Sequence, residues 1–100
     1  MAELGEIAEK VRSKNAGPFW LTIDVFCGNS DVFQRVVAGV DTARVAALFG
    51  VDLQTVKRFD IADLNVVKFS VPRPVVQGTR ADRDMHGAGW GALLAELVID

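Results

Sequence analysis

Apolar and polar positions follow two rhythms along this chain. Leu4, Ile7, Ala8 and Val11 recur at helical spacing, which predicts a short helix over roughly residues 3–11. Residues 12–18 carry no period, and Gly17-Pro18 predicts a tight loop. From 19 to 26 the rhythm becomes strict alternation, with Phe19, Leu21, Ile23 and Val25 on one face and Trp20, Thr22, Asp24 and Phe26 on the other. Bulk on both faces predicts a strand in the interior of a sheet. Gly28-Asn29-Ser30 reads as a turn whose Asn29 or Ser30 caps a helix with Val32, Phe33, Val36 and Val37 as its buried stripe, ending at Gly39.

A second helix follows at once. Asp41 or Thr42 caps it, Val45, Leu48 and Phe49 face inward, and Gly50 suits a left-handed C-terminal position. Residues 56–61 read as a strand, Asp63-Leu64-Asn65 as a turn, and 66–71 as another strand with Val67, Phe69 and Val71 on one face. Pro72-Arg73-Pro74 stops it, because proline cannot donate to a ladder. Residues 77–91 are polar and glycine-rich, and alternation over 93–99 predicts a final strand, with a short helix as the competing assignment. About four strands and two or three helices predict an α+β sandwich, its helices on one face of a mostly antiparallel sheet.

Composition narrows the picture. One hundred residues with 50% hydrophobic and 24% charged side chains fit one globular domain, residues 1–100. The net charge of -2 argues against a nucleic-acid partner. A single cysteine, Cys27, precludes an internal disulfide, which fits a reducing cytoplasm. A buried, inert thiol is its favoured reading. No run approaches the about eighteen unbroken apolar residues of a membrane span, and Glu3 and Glu6 precede any apolar run, unlike a signal peptide. Small size and a mean hydropathy of +0.24 predict self-association or a larger partner, through a surface that includes Trp20 or Trp90.

Candidate chemistry concentrates in three places. Arg12, Ser13, Lys14 and Asn15 bring two cations, a hydroxyl and an amide together. Arginine offers a planar fork and lysine a point charge to a carboxylate or phosphate, so the set reads as anion-binding. The competing reading is a solvated loop in which Ser13 and Asn15 bond their own backbone. Arg73, held between two prolines, is either an aimed binding residue or a strand-ending surface arginine. Asp82, Asp84 and His86 fall at alternate positions and share one side if extended. A carboxylate beside an imidazole is the usual setting of a general acid or base, which makes His86 and Asp84 the catalytic candidates. One lone histidine is poor support for a metal site, and none is assigned. The alternative for 82–86 is a polar loop. The set predicts that Arg12, Lys14, Asn15, Arg73 and His86 converge on one pocket.

One further pattern, residues 45–59, has the spacing of a helix-turn-helix that would make Gln54–Arg58 a recognition helix. The negative net charge and the β-branched run leading into Phe59-Asp60-Ile61 argue against it.

The runs RSKNAGPFWLTIDVF (12–26), VVKFSVPRPVVQG (66–78) and DRDMHGA (82–88) resemble the small AtuA-related domain of unknown function 4387 family, over nearly the whole chain. A weaker similarity links Leu4-Gly5-Glu6-Ile7-Ala8, Arg12–Gly17 and Gly91-Ala92-Leu93-Leu94 to the ferredoxin-fold domain that ends larger AtuA-like proteins of acyclic terpene utilisation. Lys14-Asn15 stands where that domain has Gly-Asp. The resemblance implies a ferredoxin-like two-layer sandwich. It also implies a small subunit or partner of an AtuA-type protein in catabolism of acyl-CoA or branched organic acids, within a hydratase- or lyase-type system. The ligand expected is a small anion or acyl-CoA, held by Arg12, Ser13, Lys14, Asn15 and Arg73; no cofactor is specified. A stand-alone hydro-lyase-like enzyme using His86 is the alternative, and a DNA-binding module the discounted one. An obligate partner would co-purify, whereas an autonomous enzyme would turn over substrate alone.

Overall fold

Alternating residues of the segment Trp20–Phe26 bury Leu21, Ile23 and Val25 and leave the intervening side chains on the opposite side. The computed structural model describes residues 2–73 and 89–99. In chain order its elements are β1 (Ala2–Glu3), α1 (Leu4–Ile7), β2 (Lys10–Asn15), β3 (Trp20–Phe26), α2 (Ser30–Gly39), α3 (Thr42–Phe49), β4 (Lys57–Ile61), β5 (Val66–Pro72), α4 (Gly89–Ala95) and β6 (Val98–Ile99). Strands β2-β3-β5-β4 form a four-stranded sheet, every pair antiparallel, and β1 pairs with β6 separately. The interior position expected for 19–26 is borne out, since β3 lies between β2 and β5.

The core joins Leu21, Ile23, Val25, Val67, Phe69 and Val71 of the sheet to Leu4, Phe33, Val36, Val45, Phe49 and Leu94 of the helices. These strand residues share one parity, so the helices cover one face of the sheet, and no other described element covers the opposite face. The result is an α+β arrangement consistent with a ferredoxin-like sandwich.

Local chemistry sets the helix ends. Asn29 Oδ1 accepts from the Val32 N–H at 2.9 Å and caps α2, and Asp41 Oδ1 accepts from the Ala43 N–H at 3.0 Å and caps α3. Gly50 closes α3 at φ 67°, where a Cβ would be strained. Arg58 then ties β4 to the helical layer. Its guanidinium donates to the carbonyls of Val37, at 3.0 Å, and of Val40, at the C-terminal end of α2. It lies 5.6 Å over the Phe69 ring, and its Nε pairs with Asp60 Oδ1 at 2.9 Å. Residues 57–61 are strand and 53–55 a single 3-10 turn, so no recognition helix runs through Gln54–Arg58.

Three sequence expectations change. The helix expected over 3–11 closes one turn, Leu4–Ile7, before the chain extends into β2. Val11 keeps the helical spacing by coincidence; its neighbours pair with β3 from Lys10↔Phe26 to Asn15↔Leu21. The loop expected over 12–18 is therefore strand as far as Asn15, and only the hairpin around Gly17, at φ 82°, turns. Alternation was hidden there because Ser13 fills an inward position where an apolar residue was sought. The strand expected over 93–99 is helix to Ala95, then the short β6. Ala and Leu favour helix over strand, and the buried Gly91 and Leu94 stand at helical spacing.

Candidate functional site

The extended conformation of β2 divides the four residues grouped by sequence. Successive side chains on a strand point to opposite faces, so Ser13 and Asn15 join the helical side, while Lys10, Arg12 and Lys14 line the open side.

On the helical side the groups are engaged with each other. Ser13 is buried, and its Oγ accepts from the Gly91 N–H at 2.7 Å. Arg73 is buried at 7% exposure, and its guanidinium donates to Asn15 Oδ1. Its backbone N–H donates to the Phe19 carbonyl at 2.8 Å, which extends the ladder beyond Pro72. Arg73 and Lys14 thus occupy the same end of the sheet, on opposite faces. His86 and Asp84, together with Asp82, lie outside the described residues, and the expected convergence on His86 with them.

The open side reads directly from the register. Across β2, β3, β5 and β4 the first row is Lys10, Phe26, Val66 and Ile61; the second is Arg12, Asp24, Lys68 and Phe59; the third is Lys14, Thr22, Ser70 and Lys57. Trp20 and Pro72 begin a fourth. Two-residue steps along a strand are about 6.7 Å and strands lie about 4.8 Å apart. Five cations and a single carboxylate therefore share these rows with three aromatic rings. Lys10, Arg12, Lys14 and Lys57 are exposed; Trp20 is 37% and Phe59 49% exposed. Lys57 Nζ sits 5.9 Å from the Trp20 ring centroid. Arg12 stands directly across from Asp24, yet the two form no ion pair among the described residues. A depression lined by Glu9, Lys10, Arg12 and Phe26 opens at the end of this row. The arrangement can hold anions, because its cations are accessible and, among the described residues, outnumber the carboxylates beside them, Asp24 and Glu9.

Lys57, Phe59 and Lys68 escaped the sequence reading. The alternation of Val67, Phe69 and Val71 marks Lys68 as facing away from the core, but the register that sets it beside Arg12 and Asp24 joins segments distant in sequence. Among the described residues, Thr22 Oγ1 on the open side and Trp90 Nε1 are buried with no hydrogen-bond partner. The Trp90 ring meets Phe49 edge-on at 5.9 Å. Cys27 is buried, and that burial pushes its thiol pKa up. Among the described residues no cluster of three histidine, cysteine or acidic side chains is placed to hold a metal, and no helix is long and apolar enough to cross a membrane.

Among the described residues these features define a small α+β domain with one helix-covered sheet face and one open, cationic and aromatic face. The family model described as Domain of unknown function (DUF4387) matches residues 4–98, and the chain belongs to that family. No curated protein and no solved structure matches the chain.

Proposed function

We propose that this domain is a small subunit of a larger AtuA-type protein in the catabolism of acyl-CoA or branched organic acids, and that it holds an anionic group of the ligand through Arg12 and Lys14. The observation that carries this reading is the exposed row Lys10, Arg12 and Lys14 on the open face of β2. Arg12 offers a planar fork suited to a carboxylate or phosphate, and Lys14 adds a point charge one step along the strand. Ser13, Asn15 and Arg73 face the other way and hold the strand that presents them. The AtuA-type partner is supported by the resemblance of residues 12–26, 66–78 and 82–88 and by the aromatic surface beside the cations. Chemistry, on this reading, belongs to the complex.

Co-expression with an AtuA-type protein, followed by screening the complex and each component against acyl-CoA thioesters and branched dicarboxylates, tests it. The complex should co-purify and bind such ligands. R12A and K14A should weaken that binding about tenfold or more, since a hydrogen bond to a charged group contributes roughly 1.5–3 kcal/mol. Turnover by the isolated chain, or binding indifferent to both substitutions, would overturn the proposal.

A further inference from the structure

We infer that the open face of the four-stranded sheet, beyond the β2 row, is the surface on which the partner protein docks, and that the partner presents a carboxylate-bearing patch to it. This rests on the subunit reading above and specifies how the subunit is held.

Charge segregation carries the argument. Among the described residues the sheet rows of this face carry Lys10, Arg12, Lys14, Lys57 and Lys68 against Asp24, with Glu9 at the rim beside Lys10 and Arg12. The remaining described residues carry four arginines against eight carboxylates. A chain of net charge -2 thus concentrates a local excess of three positive charges among the described residues of one sheet face, Glu9 included. Trp20, Phe26 and Phe59 lie among those charges, and large rings interleaved with cations suit an interface core ringed by polar contacts.

The same grid selects the occupant. A second copy docked face to face would set lysines against lysines, and like charges across an interface are costly. A single-stranded nucleic acid would satisfy the cations and stack on the rings, but a polyanion would also meet the repulsion of a chain whose net charge is -2. A protein surface can meet the lysines with carboxylates and Asp24 with one donor or cation. Docking there also places the partner beside Arg12 and Lys14, so that the two proteins share the ligand edge.

The test uses the full chain, purified AtuA-type protein and a short single-stranded oligonucleotide as probes. The double variant Lys57→Glu/Lys68→Glu leaves Arg12 and Lys14 intact. It should weaken the complex about tenfold or more and flatten its salt dependence, because surface charges act on association through a screened field. Trp20→Ser/Phe59→Ser should weaken it independently of salt. Both variants should keep a cooperative thermal melt, and Trp20→Ser/Phe59→Ser should keep the small-anion binding of the isolated chain. Amide shifts in the labelled chain should fall on β3, β4 and β5. A complex indifferent to both double variants, or shifts confined to α2 and α3, overturns this inference and leaves the subunit reading standing. Absence of any complex overturns both. Tighter binding to the oligonucleotide, or a homodimer whose contacts map to this face, replaces the acidic protein as occupant.

Discussion

Ser13 Oγ accepts a hydrogen bond from the Gly91 backbone N–H across 78 residues of sequence, and the two backbones meet closely enough that position 91 admits no side chain. A Cβ built on Gly91 would lie 2.9 Å from the Ser13 nitrogen and 3.0 Å from its Oγ. Helix α4 and strand β2 therefore dock through this pair. Gly91→Ala should destabilise the fold by about 1–3 kcal/mol through overpacking. Ser13→Ala should cost roughly 1–3 kcal/mol, because it strands the buried Gly91 donor. Urea midpoints for both variants within error of wild type would show that the contact contributes nothing.

Arg58 contributes to stability through several weakly exposed contacts at once. Its guanidinium serves the Val37 and Val40 carbonyls, reaches Thr42 Oγ1 at 3.3 Å and covers the Phe69 ring. Arg58→Ala should cost at least about 1.5–3 kcal/mol, the range for one hydrogen bond to a charged group. Arg58→Lys should recover only part of that, lacking the planar fork. Asp60→Ala should cost under about 1 kcal/mol, since that carboxylate is exposed. Thermal melts that rank Asp60→Ala as the more damaging change would contradict this assignment.

Legibility in the sequence followed the range of the deciding interaction. Asn29, Asp41 and Gly50 announce their helix ends because each acts on a backbone group within a few residues. The strand at 20–26 was legible because its own alternation is complete. The β2 segment was not, because Ser13 occupies a core-facing position and is satisfied by Gly91, a partner no local pattern reveals. Helix α4 was misread for the same reason, since the glycine that permits its close approach also weakens its helical signal. At the candidate site, Arg12 to Asn15 looked like one functional group of residues. Only the extended backbone shows that Arg12 and Lys14 face away from Ser13 and Asn15, and only the register adds Lys57 and Lys68 to their surface.

Cys27 should make stability depend on alkaline pH. Burial raises its pKa in the folded state above the ordinary 9.0, so the unfolded chain loses the thiol proton first as pH rises. Ionisation then favours the unfolded state. The contribution is fully present below pH 9.0 and is lost as pH climbs through the folded value. Cys27→Ala lacks this term, so the gap in urea midpoint between wild type and variant should shrink from pH 8 to pH 10. Native Cys27, 2% exposed, should also resist iodoacetamide until the chain is unfolded. Parallel midpoint curves, or rapid native alkylation, would refute this account.

Adjacent residues of β2 should give opposite phenotypes. Asn15 faces the helical side and accepts from buried Arg73, which bridges β2 and the end of β5 across the intervening β3. Removing either partner leaves the other's polar group desolvated, at roughly 1–3 kcal/mol and more where the group is charged. Asn15→Ala and Arg73→Ala should therefore lower the melting temperature. Their effects should also be non-additive in the double variant, because they share one interaction. Lys14, one residue earlier, points to solvent on the open face, and surface substitutions of that kind stay within about 0.5 kcal/mol. Lys14→Ala and Arg12→Ala should leave the melting temperature unchanged and weaken anion binding. The comparison is internal, since neighbours on one strand differ only in the side of the sheet they face. A loss of stability in Lys14→Ala matching that in Asn15→Ala would show that strand parity does not separate structural from binding roles here.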